Sequence, residues 1–203
     1  MANSTADMRL SGGHPALDLV NTVDSRRGRW GPDLLRSFED LLILTDRLGL
    51  VDRQATARLR RQAEHDPHEA AAALAAALEL RESIYRLFLS ENAGEAYPIA
   101  DLRLVEDHAR RGRARQVLTR NETGYIWMLP FDNLPQLAQL FAVYAGDLLT
   151  ARHRRRAVRE CTGDNCGWLF IDHSKSGRRR WCSDATCGSL ARVKRFRSRM
   201  KVN

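Results

Sequence analysis

The sequence predicts a mostly helical α/β domain over residues 1–151, followed by a small module of different composition over 152–203. Three observations predict it. Apolar residues recur at helical spacing in several segments, most of them opened by a capping residue and two closed by glycine. All four cysteines, Cys161, Cys166, Cys182 and Cys187, fall within 27 residues of the second part. Charge divides at the same place: 18 Lys/Arg against 21 Asp/Glu over 1–151, then 15 against 4 over 152–203, giving the overall +8.

Taken in order, Ala16 to Asn21 alternates apolar and polar residues as a half-buried strand would, after the punctuation of Gly12, Gly13 and Pro15. A helix is expected from about Phe38 to Leu48, capped by Ser37 with Asp40 three residues on, and stopped by Gly49. Asp52 caps a second, running to about His65. Asp66, Pro67 and Glu69 form the clearest start signal in the chain. The Ala-rich run that follows leads into an Ile84, Leu87, Phe88 stripe that ends at Gly94. Pro98 opens a helix to about Arg111. Arg115–Arg120 and Tyr125–Leu129 then read as a hairpin around Asn121-Glu122-Thr123-Gly124. A last helix spans about Leu134 to Ala151. The run Arg152-His153-Arg154-Arg155-Arg156 marks the change of character, as a helix extension, a joint or a solvated charged face.

No stretch approaches the ~18 apolar residues of a membrane helix, and the N-terminal MANSTADMRLSGG has no hydrophobic core of a secretory signal. A cytoplasmic chain without a membrane partner is expected. In a reducing compartment two close cysteine pairs read as metal ligands before disulfides.

The spacing is Cys161-x4-Cys166, fifteen residues, then Cys182-x4-Cys187. Two short pairs can supply the four thiolates of one structural Zn2+. Trp168 to Ile171 reads as a strand, His173 to Gly177 as a turn, and Arg179-Arg180-Trp181 as the return of a hairpin. Ser183 is placed to cap a helix carrying Cys187 in its first turn. Knuckle, hairpin and helix in that order make a treble-clef-like zinc finger. A redox-active or iron–sulfur site is the competing reading. A module of about 45 residues needs such a staple, because it cannot bury enough apolar surface alone.

The terminal helix reads as amphipathic. Val193, Phe196 and Met200 share one stripe, expected to dock on the hairpin. Arg192, Arg195 and Arg199 flank it on one side, and Lys194, Arg197 and Lys201 on the other. With Lys175, Arg178, Arg179 and Arg180 of the hairpin, these are the candidate nucleic-acid contacts, because clustered cations suit phosphates. Duplex DNA is the expected partner. RNA or a protein is the alternative, since cationic density alone does not read base edges.

These residues resemble the CGNR zinc-finger family. Cys161, Cys166, Gly167 to Asp172, Ser174, Arg179 to Ser183 and Cys187-Gly188 follow its pattern. Gly13-His14-Pro15-Ala16-Leu17-Asp18-Leu19-Val20-Asn21-Thr22 looks like the opening of the ABATE domain that precedes this finger. Asp147-Leu148-Leu149 and Arg159-Glu160-Cys161 resemble the junction between them. The resemblance implies a bacterial two-domain transcriptional regulator acting in stress responses. The chain departs from the family at Cys187-Gly188-Ser189-Leu190, where the name-giving Asn and Arg are absent.

The function expected is therefore a zinc-binding, DNA-binding regulator whose N-terminal domain senses a small effector or forms a homodimer. The alternative is a zinc-stapled RNA-binding or protein-interaction module. Catalysis is not expected: His14, Asp18, Asn21 and Thr22 cluster on one segment, yet no phosphate loop, nucleophile elbow or open zinc motif is present.

Overall fold

A computed structural model describes residues 4–28 and 31–200. Among these residues the chain forms seven α-helices, two two-stranded antiparallel hairpins and one π-helical turn. None of the helices is long and apolar enough to cross a membrane.

Ala16 to Asn21 is not a strand. Pro15–Val20 is a short helix, α1, with His14 at its N-cap and Pro15 in the first helical position. All of Ala16, Leu17, Asp18, Leu19 and Val20 are buried, so no polar face marks the helical period in the sequence. The next helices begin where their caps lie. α2, Phe38–Arg47, has a full capping box in which Ser37 Oγ accepts from Asp40 N and Asp40 accepts from Ser37 N. α3, Arg53–His65, is capped by Asp52, and α4, Pro67–Ala93, by Asp66. α4 ends on Gly94 in the left-handed conformation, φ 71°. α5, Ile99–Arg115, runs one turn further than expected before the chain turns into β1, Val117–Asn121. β2, Gly124–Met128, pairs with β1 in register Val117 with Met128 and Asn121 with Gly124, which leaves only Glu122 and Thr123 in the turn. α6, Gln136–Thr150, follows.

The main core lies between α1, α4, α5 and α6, around Leu17, Leu80, Ile84, Phe88, Leu137 and Phe141. It also crosses the expected boundary at residue 152. β3, Val158–Glu160, and β4, Leu169–Ile171, form an antiparallel hairpin whose Val158, Leu169 and Ile171 belong to that same core. Arg155 contributes to the joint. Its Nη2 donates to both carboxylate oxygens of Glu91 at 2.7 Å, both side chains are buried, and Nε donates to Leu148 O. Its neighbours Arg152, His153, Arg154 and Arg156 are exposed.

After β4 the chain turns and returns past the knuckle, where Thr162 N donates to Arg180 O. The turn Asp184–Gly188 is π-helical and leads without interruption into α7, Ser189–Met200.

Candidate metal centre and the surface it braces

The knuckle Cys161-Thr162-Gly163-Asp164-Asn165-Cys166 forms the tip of the β3–β4 hairpin. The hairpin therefore encloses the first cysteine pair; the expected strand pairing after it, with Arg179 to Trp181, is not formed. Gly163 N points at Cys161 Sγ, 3.5 Å away, and Cys166 N closes the turn on Gly163 O. The second pair comes from the return segment and the π-helical turn. Ser183 stands at the N-cap, but its side chain caps nothing; its hydroxyl and that of Thr186 accept from Arg9 Nη1 at 2.6 and 2.9 Å.

The four Sγ atoms lie within 4.8 Å of one another. Cys166 to Cys182 is 3.6 Å and Cys182 to Cys187 is 3.8 Å. Tetrahedral ligands at ~2.3 Å from one zinc ion stand about 3.8 Å apart, so the set fits a single Zn2+. All four cysteines are free of disulfides. A zinc ion here supplies a closed structural cross-link, with four protein ligands and no open position for substrate.

Around the sulfurs the packing is aromatic. Trp168, Phe170 and Trp181 surround Cys161 and Cys182. A Cβ at Gly188 would crowd the Trp181 ring at 3.2 Å and push aside the Asp184 carboxylate, 2.5 Å away.

The finger is fastened to the N-terminal region by backbone as much as by side chains. Asn21 Nδ2 donates to Leu169 O and Asn21 Oδ1 accepts from Leu169 N, both at 2.9 Å. Trp168 Nε1 donates to Val23 O at 2.7 Å, and Ile171 N to Gly12 O at 2.9 Å. At the knuckle Arg26 N donates to Cys166 O and Arg27 N to Asn165 O. Gly167, φ 70°, allows this approach, because a Cβ would stand 3.1 Å from Arg26 Cβ. Glu160, next to the first ligand, accepts from Arg27 Nε at 2.7 Å and from the Tyr85 hydroxyl at 3.3 Å. Burial first, and Glu160 second, push the Tyr85 hydroxyl up to about 12.

Residues 13–152 match the model of the ABATE family, described as a putative stress-induced transcription regulator. The chain belongs to the ABATE family. Residues 158–200 match the CGNR zinc finger, so the two models follow one another in the order the motifs suggest. A search of curated proteins finds no match. The ABATE opening signature now has a structural meaning. His14 Nδ1 accepts from Ala16 N, and Asp18 Oδ1 accepts from Gly12 N. Asn21 holds Leu169 of the finger, and Thr22 Oγ1 donates to Leu19 O while accepting from Arg81. The four residues stand together in the sequence, but Asn21's partner Leu169 lies 148 positions away and leaves no local signal.

The predicted cations divide into two kinds. Arg179 is half-buried inside the finger: its guanidinium lies 4.4 Å over the Phe170 ring, and it donates to the carbonyls of Trp181 and Cys182. Arg192 and Lys194 pair with Asp184 and Asp164 at 2.8 and 2.6 Å, both pairs lying at the exposed surface. Lys175, Arg178 and Arg180 are exposed on the loop after β4. Arg195, Arg197 and Arg199 are exposed and form no ion pair among the described residues. Lys201 lies outside the described residues.

The apolar stripe of α7 does not dock on the hairpin. Phe196 is 64% exposed and Met200 68%. The reason is competition: the hairpin's apolar side chains Val158, Leu169 and Ile171 are already buried against the ABATE core, and Arg179 covers Phe170. Leu190, which stands where the family carries Arg, is exposed as well.

Proposed function

We propose that the chain is a bacterial, cytoplasmic transcriptional regulator that binds duplex DNA through α7, with its ABATE region as the sensing or dimerising part. The observation that carries the reading is the division of cations on α7. Arg192 and Lys194 pair with acids of the finger at the exposed surface. Arg195, Arg197 and Arg199 are left facing solvent, on a helix whose start is anchored at the cysteine cluster. Cations held on a rigid helix lose little conformational entropy on meeting phosphates, and each neutralised phosphate steepens the salt dependence.

The ABATE signature residues are spent on structure, which supports a non-catalytic protein: His14, Asp18, Asn21 and Thr22 each hold a cap, a turn or the finger. An open groove between α2, α3 and α4, lined by Phe38, Ala63, Ala70 and Leu74, is the place to look for a small effector.

The test is a fluorescence titration of labelled duplex DNA across a salt series, with an equal-length RNA as competitor. Binding that weakens steeply with salt, and that falls when Arg195, Arg197 and Arg199 are all replaced by Ala with zinc content unchanged, supports the reading. Binding indifferent to salt overturns it, and a clear preference for RNA turns it to the zinc-stapled RNA-binding alternative.

A further inference from the structure

The β1–β2 hairpin stands off the ABATE core with both of its outer edges unused. Among the described residues its strands make backbone hydrogen bonds only to each other. Val117, Leu118, Tyr125, Ile126 and Trp127 are all exposed, Tyr125 by 69% and Trp127 by 64%. The register sets Leu118, Tyr125 and Trp127 on one face of the hairpin and Val117 and Ile126 on the other, so both faces carry exposed apolar side chains. A two-stranded hairpin with both faces wet is also marginal on its own.

We propose that β2 pairs antiparallel with the β2 of a second copy of this chain, about a two-fold axis at Ile126, to make a continuous four-stranded sheet. The occupant follows from the strand's own composition. Edge strands are ordinarily protected by a charge or a proline, and β1 has Arg120 for that purpose. β2, Gly124-Tyr125-Ile126-Trp127-Met128, has neither. Its order is self-complementary. A two-fold at Ile126 sets Tyr125 opposite Trp127 of the second copy, twice, and Ile126 opposite itself, with the small Gly124 opposite Met128. Such a pairing is isologous, so it closes at two chains and leaves only the charge-bearing β1 strands at the edges.

The exposed apolar side chains of α7 suit a second copy less well. On α7, Arg197 falls within the same helical arc as Leu190 and Val193, so two such helices would bring like charges together.

This inference gives a surface to the dimerising role assigned to the ABATE region and does not depend on DNA binding. Sedimentation equilibrium of the full-length, zinc-loaded chain tests it, with Ile126→Lys, and with Phe196→Lys as the control on α7. The expected result is a dimer for the wild type and for Phe196→Lys, and a monomer for Ile126→Lys that keeps its helix signal and its zinc. A second variant reads the register: Ile126→Cys oxidises to a covalent dimer, whereas Tyr125→Cys, displaced from its own copy, does not. A monomeric wild type overturns the pairing, as does a dimer that survives Ile126→Lys or is lost only on Phe196→Lys. A monomer that still binds DNA sinks the pairing alone. A dimer without salt-sensitive DNA binding sinks the regulator reading alone.

Discussion

Asn21 of the ABATE signature and Leu169 of the zinc finger are joined by two reciprocal hydrogen bonds of 2.9 Å, in full burial. A side-chain amide takes the place of a neighbouring strand: it satisfies both the N–H and the C=O of Leu169, which would otherwise be stranded inside the core. Replacing it with Ala leaves both groups without partners. Asn21→Ala is expected to cost about 3 kcal/mol in urea unfolding, and Asn21→Asp nearly as much, because the carboxylate cannot donate to Leu169 O. A change below about 0.5 kcal/mol, the scale of an ordinary surface substitution, would contradict this role.

The Arg155–Glu91 pair is the second fastening and the two side chains are buried together. Glu91→Ala is expected to destabilise by about 3–5 kcal/mol, since it strands a buried guanidinium. Lys194→Ala, which breaks an exposed pair with Asp164, is expected to cost less than about 1 kcal/mol. Denaturant midpoints of the two variants check the contrast.

Much of this was legible in the sequence, but only where the determinants are local. Ser37 with Asp40 and Asp66 with Pro67 mark helix starts because the capping groups sit within one turn of what they cap. The cysteine spacing carries the metal site for the same reason. α1 looks like a strand in the sequence because a helix buried on every side has no polar face to set its period. The amphipathic stripe of α7 is present as read, but its partner surface had already been taken by Leu17 and its neighbours packing on Leu169 and Ile171. Within the basic run, nothing local distinguishes Arg155 from Arg154; only the position of Glu91 on α4 does.

Asp18 sets a pH dependence. Burial raises its carboxyl to about 6, against the opposing effects of the Gly12 and Ser11 amides and the charge of Arg47. The unfolded chain titrates near ~3.9, so the folded state holds its proton more tightly. The stability this contributes is complete below about pH 4 and is lost as pH rises through 6, on the order of 2–3 kcal/mol. Asp18→Asn keeps an acceptor for Gly12 N and removes the titration. Its stability should vary less than the wild type's between about pH 4 and 7, as read by melts across that range. An identical slope in the two proteins would contradict the assignment.

Salt dependence separates the cations of α7. Removing Arg195, Arg197 or Arg199 one at a time should weaken DNA binding and reduce the log–log salt slope by up to about 0.9 each. Arg179→Ala should instead lower the melting temperature, because that side chain braces Phe170 and the Cys182 carbonyl. A slope unchanged by all three α7 variants would place the phosphate contacts elsewhere.

One ion bound by the four sulfurs, with the contacts of Asn165, Cys166 and Leu169, is expected to hold finger and ABATE core as a single cooperative body. The decisive experiment follows zinc release with a colorimetric chelator during denaturant unfolding, alongside the far-ultraviolet helix signal. The two curves are expected to coincide, with one zinc released per chain. Zinc lost in an earlier transition that leaves the helices intact, or a chain that folds fully without metal, would contradict it.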